Sequence, residues 1–288
     1  MDDRVEIVEV GPRDGLQNEA RPIDVAQKLA LIEACADAGL RHIEVGAFVS
    51  PKWVPQMANS AEVVARLPKR DVLWSVLVPN MRGMAGLDAI EDHLVGEIAV
   101  FVSASEGFSR SNLNCSIDES IERLLPVIDQ VKNRKLNVRG YVSCITDCPF
   151  DGPVAPSQVA QVSDKLMGAG CDSLSLGDTI GKGTPERVDA AVAAVLDVAE
   201  PSRVAGHFHD TNGRAIENVA VCLERGLRIF DSAVGGLGGC PYAPGAAGNL
   251  ATETLVGYLH GAGFDTGVDE TALMKAAKLA KGLRDGHH

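Results

Sequence analysis

The chain has 288 residues, 45% of them apolar, 23% charged and only 4% aromatic. That is enough apolar content for a sizeable core, and it excludes a disordered or collagen-like polypeptide. The 27 Lys and Arg against 39 Asp and Glu leave a net charge of −12, and with no Lys/Arg-rich run this excludes nucleic acid and anionic membrane as expected partners. No stretch approaches the ~18 consecutive apolar residues of a membrane span. The first residues carry neither a secretory nor a transit pattern. Seven scattered cysteines without a CxxC pair suit a reducing compartment, so a cytoplasmic protein is expected.

Short β-branched runs recur at 5–10, 41–46, 72–78, 97–102, 138–144, 173–176, 204–207 and 229–233. Apolar spacing between them predicts helices over 24–38, 118–132, 156–169, 185–199 and 212–225. The first has Asp24 as a start signal and Gly39 just past its end, as capping requires. Eight strands alternating with helices predict an α/β fold, a (β/α)8 TIM barrel. The alternative, an open doubly wound sheet, usually carries a Gly-rich dinucleotide turn after its first strand. Here that strand runs into Gly11-Pro12-Arg13-Asp14-Gly15. Two more helical stretches, 250–261 and 269–283, follow the last strand. The expected organisation is one domain over 1–288, with residues 249–284 as a C-terminal helical appendix.

In such a barrel the chemistry belongs at the C-terminal ends of the strands. Arg13 and Asp14 follow the first strand, where Asp14 is either a ligand or base, or a turn residue paired with Arg13. Glu44, flanked by Ile43 and Val45 in the second, must be paired or near a cation to ionise. His207 and His209 end the seventh strand two residues apart, so both imidazoles face one space. With Asp14 they form a candidate site for Mg²⁺, Mn²⁺ or Zn²⁺. Asp178, in Gly177-Asp178-Thr179, is a functional candidate or ordinary turn chemistry. The stretch from Gly235 to Gly239 has four glycines around Leu237 and leads into Cys240-Pro241-Tyr242. It suits a mobile loop over the mouth that delivers a thiol, or a loop with an incidental one. Gly177–Lys182 is not a P-loop, and no Gly-x-Ser-x-Gly elbow is present. Cys144 and Cys148 are poorly spaced for zinc.

Taken together, these motifs resemble the 3-hydroxy-3-methylglutaryl-coenzyme A lyase family. The matching pieces are Val10–Asn18, Ser50–Met57, Gly140–Cys144, Gly177–Gly181 and the loop Gly236–Tyr242. The Cys-containing loop is the most specific of them. The Arg-Asp and His-x-His elements are shared by a wider group of barrel metallo-lyases and synthases. The resemblance implies cleavage of 3-hydroxy-3-methylglutaryl-CoA to acetyl-CoA and acetoacetate, a step of leucine degradation and ketone-body formation. It implies a divalent cation, Mg²⁺ or Mn²⁺, held by Asp14, His207, His209 and Asn249. Arg13 matches the residue that polarises the thioester carbonyl, Glu44 and Asp178 match supporting acids, and Cys240 matches the loop thiol. The family's Ser-Val-Ala-Gly lead-in to the loop reads Ala233-Val234-Gly235-Gly236 here. The expected partners are an acyl-CoA substrate and a second copy of the chain in a homodimer. Lys52 and Arg110 are candidates for the coenzyme A phosphates. The alternative is a related barrel enzyme that condenses or cleaves another acyl-CoA or 2-oxo acid.

Overall fold

The computed structural model describes residues 3–238 and 248–285. Eight parallel strands, Glu6–Glu9, His42–Ala47, Leu73–Leu77, Val95–Ser103, Asn137–Ser143, Ser173–Asp178, Val204–Phe208 and Ile229–Ser232, close into a barrel in chain order. The ring shuts where Glu6 pairs with Ile229. The expected TIM barrel is therefore the fold, and each of the eight β-branched runs supplies one strand.

The outer helices include Val25–Asp37, Ile117–Asn133, Pro156–Ala169, Pro185–Val195 and Ala215–Glu224. Val25–Asp37 starts where expected, because the Asp24 side chain accepts the Gln27 amide at 2.8 Å while Gln27 reaches back to the Asp24 amide at 3.1 Å. Ser116 and Glu119 form the same reciprocal cap before Ile117–Asn133, satisfying amides that a helix start leaves open. After the eighth strand come Thr252–Gly261 and Glu270–Asp285. The second packs on Val25–Asp37, and its Lys281 Nζ meets Glu253 Oε1 of the first at 3.1 Å.

Three short helices carry too little periodicity to be expected from the sequence: Ser60–Ala65, Met81–Asp88 and Glu106–Leu113. Met81–Asp88 holds Gly83 and Gly86, poor helix formers, because Phe48 lies against them. A Cβ on Gly83 would stand 2.4 Å from the Phe48 carbonyl oxygen.

The core has two parts of different chemistry. Between strands and helices it is apolar, with Leu31, Ile32, Val127, Leu166 and Val192 all buried. Inside the barrel several inward positions are charged. His42 lies between Glu6 at 2.9 Å and Glu97 at 2.8 Å. Arg139 is ion-paired to Asp231. These groups run up the barrel towards its C-terminal mouth, where the strand ends hold the candidate site.

Candidate active site

The first strand breaks into a single π-helical turn, Gly11–Gly15, closed by the Gly15 amide on the Val10 carbonyl at 3.1 Å. Such turns bulge the backbone and re-aim side chains. Here the turn directs Arg13 and Asp14 over the mouth. Arg13 is buried and bridges two carboxylates, donating through Nη1 to Asp14 Oδ1 and through Nη2 to Glu44 Oε2, both at 2.7 Å. Glu44 is wholly buried and also accepts the Tyr141 hydroxyl at 3.0 Å. The Arg13 guanidinium lies 5.4 Å from the Tyr141 ring centroid. Burial raises the Glu44 carboxyl, with Arg13 opposing it. Burial disfavours the Arg13 cation, yet Glu44 and Asp14 more than restore it, and its pKa lies above the ordinary value. Arg13 is thus a permanent positive charge held in place.

His207 and His209 face the same space, with ring centroids 5.6 Å apart. Their nitrogens and an Asp14 oxygen all lie within 4.8 Å of one another. His207 pairs in register with Asp231 on the neighbouring strand, and its Nδ1 meets Asp231 Oδ2 at 3.1 Å. Asp231 is held in turn by Arg139 and by Ser175 Oγ at 2.7 Å. A proton on Nδ1 leaves the His207 Nε2 lone pair facing Asp14 Oδ2, 3.9 Å away. Outer carboxylates orient metal-binding histidines in this way. Burial, together with His207, pushes the His209 imidazole down to about 4, so it is neutral near pH 7. Burial raises the Asp14 carboxyl, but Arg13, His207, His209 and Asn249 outweigh it and hold it at about 2.

Asn249 follows the eighth strand in the chain and pairs back onto the end of the seventh. Residue 249 forms an antiparallel bridge with His209, and the Leu250 amide donates to the Phe208 carbonyl at 3.0 Å. This pairing lets Asn249 Nδ2 donate to Asp14 Oδ2 at 2.9 Å and to the Leu237 carbonyl at 3.2 Å. The donor set of one carboxylate, two imidazoles and a neighbouring amide fits a divalent cation. The buried His209 Nδ1 has no hydrogen-bond partner among the described residues, so no protein contact ties up that nitrogen of the imidazole.

Arg13, Asp14, Glu44, His207, His209 and Asn249 are therefore brought together. Asp178 stands apart from this group. Its oxygens accept Thr146 Oγ1 at 3.1 Å and the Gly183 amide at 2.8 Å. Next to it, Thr179 Oγ1 accepts the Cys144 amide at 2.8 Å, where Cys144 has a left-handed backbone, φ 62°. The Gly-Asp-Thr motif ties the loops after the fifth and sixth strands together. Cys240 lies outside the described residues. Lys52 and Arg110 both lie beyond strand ends, Lys52 Nζ 5.9 Å from the Trp53 ring and Arg110 Nε 3.5 Å from Glu106. Sequence reasoning missed Tyr141, Arg139 and Asp231. The signal that marked Glu44, a charged side chain inside a buried strand, was equally present at Arg139 and Asp231.

The chain is similar to known proteins along nearly its whole length. The family model described as HMGL-like matches residues 4–280. The hydroxymethylglutaryl-CoA lyase of Pseudomonas mevalonii is 53% identical over 270 residues, covering 93% of this chain and 89% of that protein. A 3-hydroxy-3-isohexenylglutaryl-CoA/hydroxymethylglutaryl-CoA lyase of Pseudomonas aeruginosa is 50% identical, covering 96% of this chain and 91% of that one. The crystal structure of the HMG-CoA lyase from Brucella melitensis superposes with a TM-score of 0.95 at 54% identity, over 98% of this chain and 99% of that one. Matched across nearly its whole length, with about half its residues shared with named lyases, the chain belongs to the HMGL-like family.

Proposed function

We infer that this chain is a carbon–carbon lyase that cleaves 3-hydroxy-3-methylglutaryl-CoA to acetyl-CoA and acetoacetate, a ketone body. The observation that carries the reading is the buried Arg13, bonded at 2.7 Å to Asp14, itself one of the three groups competent to hold a cation. The reaction needs three things: loss of the tertiary hydroxyl proton, stabilisation of the thioester enolate left when the carbon–carbon bond breaks, and a proton returned to its carbon.

Asp14, His207 and His209 would hold the cation, with Asn249 joining through Oδ1, since its Nδ2 is spent on Asp14 and Leu237. A bound Mg²⁺ or Mn²⁺ supplies Lewis acidity towards the substrate's hydroxyl and carboxylate oxygens. Asp14 stays ionised and is the carboxylate placed to accept the hydroxyl proton, whose acidity a bound cation would raise to suit so weak a base. Arg13 lays its fixed charge where the enolate oxygen develops. Glu44 and Tyr141 hold the guanidinium in that orientation, and Asp178 acts through the loops it fastens. Cys240, which the resemblance matches to the loop thiol, is the proposed donor of the proton to carbon. Lys52 and Arg110 are proposed contacts for the coenzyme A phosphates. No helix among the described residues is long and apolar enough to cross a membrane, and a homodimer in the cytoplasm belongs to the same proposal.

A second reading concerns the alkyl group at carbon 3. The P. aeruginosa relative is named for an isohexenyl as well as a methyl substrate, so a longer substituent is the competing substrate class. The deciding experiment is product identification with purified protein. Acetoacetate and acetyl-CoA should form from the methyl thioester, cease with a chelator and return with Mn²⁺. Absence of both products with added Mn²⁺ contradicts the proposal.

A further inference from the structure

Glu9 ends the first strand and takes no part in the reaction above. Alternation turns it away from the barrel axis that Glu6 faces, into the layer between strands and helices near Cys35. It is 0% exposed, a costly place for a carboxyl group. Its hydrogen bonds all go to the two active-site loops and the helix behind them. Oε1 accepts the Gly11 amide at 2.8 Å and the Val234 amide at 2.9 Å. Oε2 accepts the Thr252 hydroxyl at 2.6 Å.

Gly11 opens the turn that carries Arg13 and Asp14. Val234 opens the stem that leads to Leu237 and Gly238. The fit is close: a Cβ on Gly11 would stand 2.5 Å from Glu9 Oε1. The same two segments meet again at their far ends, where a Cβ on Gly15 would lie 2.6 Å from Leu237 Cβ and one on Gly238 3.3 Å from Gly15 Cα. The next amide of the stem, Gly235, donates to Glu253 at 2.9 Å.

We propose that Glu9 is a positioning residue: a single carboxylate oxygen, by accepting both the Gly11 and Val234 amides, fixes the Arg13–Asp14 turn against the stem that carries Leu237, whose carbonyl holds Asn249. Only its kinetic consequence rests on the lyase reading. Burial pushes the Glu9 carboxyl up to about 7, against the pull of its three hydrogen bonds. Both protonation states keep the clamp. Thr252 Oγ1 and Ser232 Oγ are 2.9 Å apart and either can donate. A neutral Glu9 donates to Thr252, which turns its own hydroxyl to Ser232, and Oε1 retains both amides.

Glutamine reproduces that neutral pattern, with its carbonyl on the amides and its NH₂ on Thr252. Aspartate keeps the charge but is one methylene too short to reach both loops. Mn²⁺ affinity by calorimetry, with kcat and KM, is compared for Glu9→Gln and Glu9→Asp. Glu9→Gln should stay within ~3-fold of wild type throughout. Glu9→Asp should bind Mn²⁺ ~10-fold more weakly and lose kcat ~10-fold, with KM within ~3-fold, as for other supporting groups of metal sites. Wild-type Mn²⁺ affinity in folded Glu9→Asp, or equal damage in Glu9→Gln, overturns the proposal. If Glu9→Asp does not fold, Val234→Pro replaces it. Residue 234 is the first position of a short helical turn, where proline is tolerated, and the change deletes one donor while Glu9 remains. It should weaken Mn²⁺ binding similarly, and unchanged affinity overturns the proposal. A wild-type protein that binds Mn²⁺ but cleaves no thioester would sink the lyase reading and leave the Mn²⁺ comparison to judge Glu9.

Discussion

Asp231 shows how much of the site rests on a side chain that touches neither substrate nor cation. It holds His207 through Nδ1 at 3.1 Å and balances the buried Arg139. Asp231→Asn should weaken Mn²⁺ binding ~10- to 100-fold by releasing the His207 tautomer. It should also cost about 3–5 kcal/mol of stability, because Arg139 is left as an unpaired buried charge. Isothermal titration and urea unfolding check the two effects separately, and a variant with unchanged Mn²⁺ affinity removes Asp231 from the site. At this scale the sequence is legible where residue type and position coincide. His207 and His209 stand out because strand spacing puts both on one face. Arg13 and Asp14 stand out because they follow the first strand. Asn249 does not stand out by type or spacing and enters only through the family resemblance; in the fold, the bridge to His209 brings it to Asp14. Arg139 and Tyr141 look like parts of an ordinary strand until barrel closure turns them to the axis.

The strands were legible as elements because buried parallel strands are short β-branched runs, and each such run is a strand of the barrel. The longer helices were legible from caps and periodicity. The π-turn at Gly11–Gly15 was not, because its shape comes from a tertiary contact. Gly15 has no Cβ because Leu237 occupies that space, and an added one would sit 2.6 Å from Leu237 Cβ. Gly15→Ala should therefore force the two loops apart, costing about 1–3 kcal/mol and weakening Mn²⁺ binding. Gly257→Ala is the control, since it lies in the helix Thr252–Gly261 with nothing within 4 Å of its added Cβ. It should be neutral or stabilise by up to about 1 kcal/mol. The melting temperature should fall for Gly15→Ala and hold or rise for Gly257→Ala, and equal shifts would show that the contact at Gly15 is not limiting.

Across the whole molecule, the polar interior of the barrel makes stability depend on pH. Burial disfavours a charged His42, but Glu97 and Glu6 outweigh it and its pKa is pushed up to about 9. The folded value lies above the unfolded one of about 6.5. The stabilisation is therefore complete below about pH 6.5 and is lost as pH rises through 9, a contribution on the order of 3 kcal/mol. The difference in unfolding free energy between wild type and His42→Gln should be largest just below pH 6.5, where Glu6, its pKa lowered by His42, is still ionised, and shrink across that window. A difference that grows with pH would reverse the assignment.

The same interior ends at Asp14, His207 and His209, the proposed cation-binding group, on which the proposed lyase chemistry depends most. The direct measurement is the anomalous difference density of a crystal grown with Mn²⁺. One peak should lie within coordination distance of Asp14, His207 and His209 together. A Mn²⁺ peak elsewhere, with none among these three side chains, would contradict the account.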